Sequence, residues 1–183
     1  MIVGLTGKNS AGKGEVAKYL QKKGFVYFSL SDIIREEATK RGVEHSRGNL
    51  IDLGNELRKK FGAEYLAKQI NKKIFSSRKN FFIIDSIRSP YEVKELMKNK
   101  GFILIGIEAP IELRFKRLLK RNRLGDAKTL EEFKKQEQRE NLKNSTNQQL
   151  DETFKSASKV ILNDGSLKDL HEKIDKLLEK WPE

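Results

Sequence analysis

The chain contains no cysteine, only three prolines and one tryptophan, and no apolar run near the ~20 residues of a membrane-spanning helix. Without thiols, disulfides, thiolate metal sites and cysteine nucleophiles are excluded. The first residues carry neither a basic preamble nor a cleavage signal, so the expectation is a cytoplasmic protein with no membrane association. Acidic residues are also in short supply: 26 Asp and Glu face 38 Lys and Arg, a formal net charge of +12. That balance favours anionic partners, nucleotides first and nucleic acid as a less favoured second. No segment repeats, and 183 residues suffice for one domain with a sheet covered on both faces.

What is present begins at the first residues. Ile2 to Thr6 is a short apolar run of the kind that forms a buried strand. Gly7, four residues, Gly12 and Lys13 follow, and Glu15 to Leu20 opens a helix with Val16, Ala17, Tyr19 and Leu20 as its apolar positions. A strand, a glycine-rich loop and a helix in that order make a phosphate-binding loop. Gly7, Gly12 and Gly14 lack a Cβ, so backbone N–H groups can surround a phosphate, and Asn9, Ser10, Ala11 and Glu15 are ATP-binding candidates with them. The helix N-terminus adds partial positive charge, and Lys13 can reach the terminal phosphates. Where the common motif has Ser or Thr to touch Mg²⁺, this chain has Gly14.

Further strands are expected at 25–29, 81–85, 102–107 and 159–162, alternating with helical patterns. That alternation predicts a three-layer α/β/α fold with a five-stranded parallel sheet. Ser31 or Asp32 can cap a helix carrying Ile33, Ile34 and Arg35. Residues 38–78 read as polar and helical, divided at Gly62, and His45 sits among polar loop residues with no assignment. Phe81 to Asp85 is an apolar run ending in a carboxylate, which puts Asp85 at the ligand-binding end of a central strand as the Mg²⁺ carboxylate. Pro110 is placed to start a helix whose buried stripe is Ile111, Phe115, Leu118 and Leu119. Arg114, Arg117 and Arg121 share its adjacent face, open to a basic surface reading or to phosphate contact. Residues 122–147 are highly charged, with Phe133 and Leu142 as the main apolar anchors, and read as a small helical lid. Asn163, Asp164, Gly165 and Ser166 form a turn, and Leu167 to Leu178 is an amphipathic closing helix.

These motifs together resemble the nucleotide-kinase branch of phosphate-loop proteins, over nearly the whole chain. Lys13 followed by Gly14 resembles adenylate kinases, although Glu15 stands where that family has Thr, and Asn9 and Ser10 where it has Pro-Gly. Asp32 and Arg35 resemble the opening of the acceptor-binding helix, which implies an Arg35 grip on the acceptor phosphate. Asp85 and Arg88 resemble segments of adenylate kinases and, with Glu92, of phage deoxynucleotide kinases. There the arginine binds the transferring or acceptor phosphate. A phage-kinase-like rhythm makes Arg47 and Arg58 candidate anion contacts, Arg58 on the acceptor, against a plain surface reading. The resemblance also places Arg117 and Arg121 over the phosphates, lets Arg139 join them, and sets residues 30–78 as acceptor-binding segment and 122–147 as lid.

The expected activity is therefore transfer of the ATP γ-phosphoryl group to a nucleoside or deoxynucleoside monophosphate, with Mg²⁺. The final turn resembles that of dephospho-coenzyme A kinases, where it packs beside the adenine of ATP; this implicates Asp164 and Gly165. That family supplies the alternative activity, with Asp32 as base for a ribose hydroxyl. A third class, an RNA-associated ATPase, rests on the net charge. GTPase switching is disfavoured, because Asn71, Lys72 and Lys73 are followed by Ile74 and no guanine motif is completed. The sequence leaves the oligomeric state open.

Overall fold

The computed structural model describes residues 1–122, 125–139 and 149–180. Five strands, β1 (Ile2–Thr6), β2 (Val26–Ser29), β3 (Phe82–Asp85), β4 (Phe102–Glu108) and β5 (Lys159–Leu162), form one parallel sheet ordered β2-β3-β1-β4-β5. β1 lies at the centre, buried at every residue, as expected for a strand covered on both faces. Because all strands run the same way, the loops leaving their C-terminal ends gather at one edge of the sheet, where ligands bind in open α/β folds.

On one face pack α1 (Lys13–Lys22) and α9 (Leu167–Leu178), through Val16, Leu20, Leu170 and Ile174 against Val3, Leu5, Ile105 and Ile107. On the other lie α2 (Leu30–Lys40), α3 (Arg47–Phe61), α4 (Tyr65–Phe75) and α5 (Pro90–Leu96), around Leu30, Ile34, Leu57, Leu66 and Ile70 against Phe82, Ile84 and Leu104. This is the expected three-layer α/β/α sandwich. α6 (Ile111–Arg121), α7 (Leu130–Arg139) and the short α8 (Leu150–Lys155) complete the described elements. Leu118, Ala127 and Phe133 make a separate small core under α7. Among the described residues no helix is long and apolar enough to cross a membrane.

Several local expectations shift. Phe25 and Phe81 precede their strands, and Glu108 extends β4. α2 is capped by Ser29, whose Oγ accepts from Ser31 N at 3.2 Å, rather than by Ser31 or Asp32. Residues 41–46 are not helical, so the pattern over 38–78 divides into three helices. Pro110 is the N-cap of α6, with extended ψ of 142°, rather than its first helical residue. α5 and α8 had no periodic signal long enough to announce them. α8 has a clear reason to sit where it does: Phe154 fills the space over Gly106, where a Cβ would come 2.8 Å from the ring.

Candidate functional site

The loop between β1 and α1 is built by three positive-φ residues, Gly7 (135°), Ser10 (59°) and Gly12 (111°). A Cβ on Gly7 would lie 2.2 Å from the carbonyl oxygen of Ile107, and one on Gly12 would lie 2.1 Å from Asn163 Nδ2. Glycine is thus required at both positions by contact as well as by backbone conformation. Gly12 caps α1, accepting from the N–H groups of Glu15 (3.0 Å) and Val16 (3.2 Å). Lys13 Nζ folds back on the loop, donating to the carbonyls of Gly7 (2.5 Å) and Lys8 (3.0 Å).

Two polar groups of this loop, Asn9 Nδ2 and Ser10 Oγ, are buried with no hydrogen-bond partner among the described residues. Buried polar groups are almost always satisfied, so a pair of orphans within one glycine-rich turn marks a place built for a ligand oxygen. With the cradle of N–H groups and Lys13, these residues fit a phosphate chain. Gly14, where the hydroxyl ligand would stand, has open space around a hypothetical Cβ.

Behind the loop, a network missing from the sequence reading holds its shape. Asn163, 5% exposed at the end of β5, donates from Nδ2 to the Ala11 carbonyl at 2.8 Å. Arg117 reaches the same point, with Nη2 donating to Asn163 O (3.1 Å) and Oδ1 (3.4 Å) and Nη1 to Ala11 O (3.5 Å). Burial lowers the pKa of this guanidinium from its usual value, yet an arginine stays charged. Arg117 therefore stands at the loop. Asp164 pairs with Lys173 (3.5 Å), and a Cβ on Gly165 would meet the Asp169 carboxylate at 2.6 Å. It is thus Asn163, one residue before that turn pair, that touches the loop. Its signal in the sequence was only its place after an apolar strand.

Arg114 is buried rather than part of a basic surface stripe. Its guanidinium donates to Ala109 O (3.0 Å), to Asn9 O (3.3 Å) and to the Glu137 carboxylate, tying the phosphate loop to α7. Arg121, one turn beyond Arg117, makes a two-pronged pair with Asp126 (2.9 and 2.7 Å). Leu142 and the Arg139 side chain lie outside the described residues.

Asp85 ends β3, in register with Ser29 of β2 and one position beyond the Ile84–Gly4 pairing with β1. It accepts from Ser86 N (2.6 Å) and from the Tyr27 hydroxyl (3.2 Å). Burial, followed by the charge of Asp85, pushes the Tyr27 hydroxyl up to about 12. A carboxylate at this position fits a hard cation held between protein and phosphate oxygens. Ser86, at φ 64°, turns the chain, and Ser29 Oγ bonds Ser86 Oγ at 3.1 Å. Thr6 Oγ1 donates to Ile87 O (3.1 Å), fixing this turn against the end of β1. Arg35 and Asp32 sit together in the first turns of α2, as a half-exposed pair at 2.6 Å.

Arg58 departs from its surface reading. It is 2% exposed, and its Nε and Nη2 hold Glu92, which is wholly buried, at 3.1 and 2.9 Å. Glu92 Oε2 in turn accepts from the backbone N–H of Arg88 at 2.9 Å. Arg58 is therefore not a surface arginine: Nε and Nη2 are taken by Glu92, through which it anchors the segment that carries Arg88, and Nη1 has no partner among the described residues. Arg47 starts α3.

A central β1, its glycine loop closing on α1, and a carboxylate at the end of the neighbouring strand define a phosphate-loop protein of the kinase-like fold. Residues 6–134 match a family described as an AAA domain. The UPF0200 protein PH1008 of Pyrococcus horikoshii is 34% identical over 191 residues, spanning 100% of both chains, and the chain belongs to the UPF0200 family. Solved structures of other proteins share its fold. TT1252 from Thermus thermophilus has a TM-score of 0.63 at 20% identity, covering 100% of this chain and 98% of that one. The shikimate kinase from Aquifex aeolicus has a TM-score of 0.54 at 15% identity, covering 98% and 96%.

Proposed function

We propose that the chain transfers the γ-phosphoryl group of ATP to the phosphate of a nucleoside or deoxynucleoside monophosphate. The observation that carries the donor half is the pair of orphaned, buried groups, Asn9 Nδ2 and Ser10 Oγ, in a loop that also bears Lys13. On binding, Lys13 Nζ exchanges two backbone carbonyls for β- and γ-phosphate oxygens. Asn9, Ser10 and the loop N–H groups hold the chain of phosphates, and Arg117 stabilises the charge that spreads during transfer. When bound, Mg²⁺ would neutralise charge on the phosphates, with Asp85 the carboxylate to hold it. A phosphate oxygen of the acceptor attacks the γ-phosphorus, the bond to the ADP oxygen breaks, and no strong base is needed, since the acceptor's second pKa is near ~6.

Arg35 and Arg88 grip the acceptor, emerging after two adjacent strands, β2 and β3. Residues 30–78 serve as acceptor-binding segment and 122–147 as lid in this single domain, and Arg121 joins Arg117 once it leaves Asp126. Asp164 and Gly165 flank the adenine. Kinases of small molecules share this fold, as the Aquifex aeolicus relative illustrates.

A second reading, phosphorylation of a ribose hydroxyl of dephospho-coenzyme A, draws on one feature: the Asp32 carboxylate, paired with Arg35 at 2.6 Å in the first turn of α2, is the candidate base. Kinetics of Arg35→Ala, Arg88→Ala and Asp32→Asn on the acceptor separate the two. The first reading expects acceptor KM to rise at least tenfold in both arginine variants, with a modest loss for Asp32→Asn. A collapse of kcat confined to Asp32→Asn would overturn it in favour of the hydroxyl acceptor.

A further inference from the structure

At the opposite edge of the sheet, where the strands begin, the chain presents a second surface that phosphoryl transfer does not use. The segments entering β2, β3, β1 and β4 lie side by side there, bonded in sequence: Val26 N to Phe81 O, Phe82 N to Met1 O and Ile2 N to Gly101 O. The Met1 ammonium donates to Asn80 O at 2.8 Å. Exposed along this row are Lys22 and Lys23, Arg78 and Lys79, Lys98 and Lys100. The acids that reach it are already engaged: Asp175 with Lys23 (3.0 Å) and Glu95 with Lys98 (2.5 Å), leaving Glu179 at the end of α9. Lys22, Arg78, Lys79 and Lys100 make no ion pair with a described residue.

Helix C-termini converge on this end, and lysines there ordinarily complement the helix dipole. That accounts for Lys22, Lys23 and Lys98. It does not account for Arg78, Lys79 and Lys100, which lie in the connecting loops. Nor does it account for the apolar side chains among the cations. Phe75, the last residue of α4, is 93% exposed, Met97 is 52% exposed, and Phe81 is 43% exposed with its ring 5.5 Å from that of Phe25. Aromatic faces interleaved with unpaired cations are the chemistry that takes unstacked bases and their phosphates. Ser76 and Asn80, exposed between them, supply partners for a 2′-hydroxyl.

We infer that this basic, aromatic edge at the start of the strands binds single-stranded RNA, with Arg78, Lys79, Lys22 and Lys100 on phosphates and Phe75 and Phe81 stacked on bases. The site lies across the sheet from the phosphate loop, so nucleotide binding and RNA binding are separable by mutation.

The test is fluorescence anisotropy of the full chain with a labelled 12-nucleotide single-stranded RNA, its DNA counterpart and a duplex, over a range of salt. Four phosphate contacts give a log–log salt slope of about −2.8 for a single strand. Arg78→Glu with Lys79→Glu is expected to weaken binding at least tenfold and flatten the slope by about 1.4. Phe75→Ser is expected to lose about five- to 150-fold, the range for one stacked base. All of these residues are exposed, and both variants should keep wild-type melting temperature and ATP binding. Absence of RNA binding, equal binding of DNA, or loss of binding through Lys116→Glu and Lys120→Glu on α6 with the edge variants unaffected would each overturn the inference. So would concentration-dependent self-association that Phe75→Ser abolishes while RNA affinity stays unchanged.

Discussion

Asn163→Ala probes the network that shapes the phosphate loop. The Asn163 side chain is buried and its Nδ2 is the main donor to the Ala11 carbonyl, the alternative from Arg117 being 3.5 Å long. Truncation leaves that carbonyl without a good partner inside the protein, at a cost of about 1–3 kcal/mol. In a chain of this size each kcal/mol lowers Tm by about 2–4 °C, so differential scanning fluorimetry should read a fall of about 2–12 °C. Loop geometry should suffer as well, because Arg117 loses the Oδ1 contact and Gly12 loses the amide packed against it. A loss of about 1 kcal/mol in ATP binding corresponds to about fivefold in Kd, measurable by isothermal titration calorimetry. Asn163→Asp is the sharper variant. It keeps an oxygen for Arg117 but turns a second oxygen toward the Ala11 carbonyl and adds negative charge beside the phosphates, so both stability and ATP affinity should fall further than in the alanine variant. An Asn163→Ala protein that melts lower but binds ATP at wild-type strength would refute the link between this residue and the loop.

Gly14→Ser adds the missing hydroxyl in open space, so the Mg²⁺ concentration for half-maximal activity should fall several-fold, whereas Asp85→Asn should raise it; unchanged titrations in both would remove these positions from the metal site. Arg58→Met strands the buried Glu92 charge and should destabilise by about 3–5 kcal/mol in urea unfolding, with Arg58→Met/Glu92→Gln recovering part of the loss. Tyr27 titrates near 10 when unfolded and about 12 when folded, so the folded state retains its proton longer; stability should decline as pH rises from 10 to 12, and Tyr27→Phe should flatten that decline in pH-dependent melts.

The layers of this fold could be read from the order of the residues because each strand is a short apolar run and each long helix has a regular apolar stripe. The glycine loop was legible for the same reason: spacing and context are both local. What escaped reading depends on distant partners. Asn163 becomes a loop residue only because β5 carries it to Ala11, 152 positions away. Arg58 read as a surface arginine or an anion contact because nothing local shows that α5 brings Glu92 against it. Arg114 shared a helix face with Arg117, yet the two differ because Glu137 of α7 closes over one of them. α8 is too short for its periodicity to register, and its place is set by Phe154 filling the gap over a glycine in β4.

The most direct test of phosphoryl transfer to a monophosphate is an acceptor screen of the purified chain. ATP, Mg²⁺ and each ribo- and deoxyribonucleoside monophosphate, with dephospho-coenzyme A alongside, would be followed by ³¹P NMR. The expected result is ADP together with a nucleoside diphosphate from at least one monophosphate, and near-complete loss of both products in Lys13→Ala. ATP consumed with no monophosphate converted, or transfer that proceeds at the wild-type rate in Lys13→Ala, would contradict it.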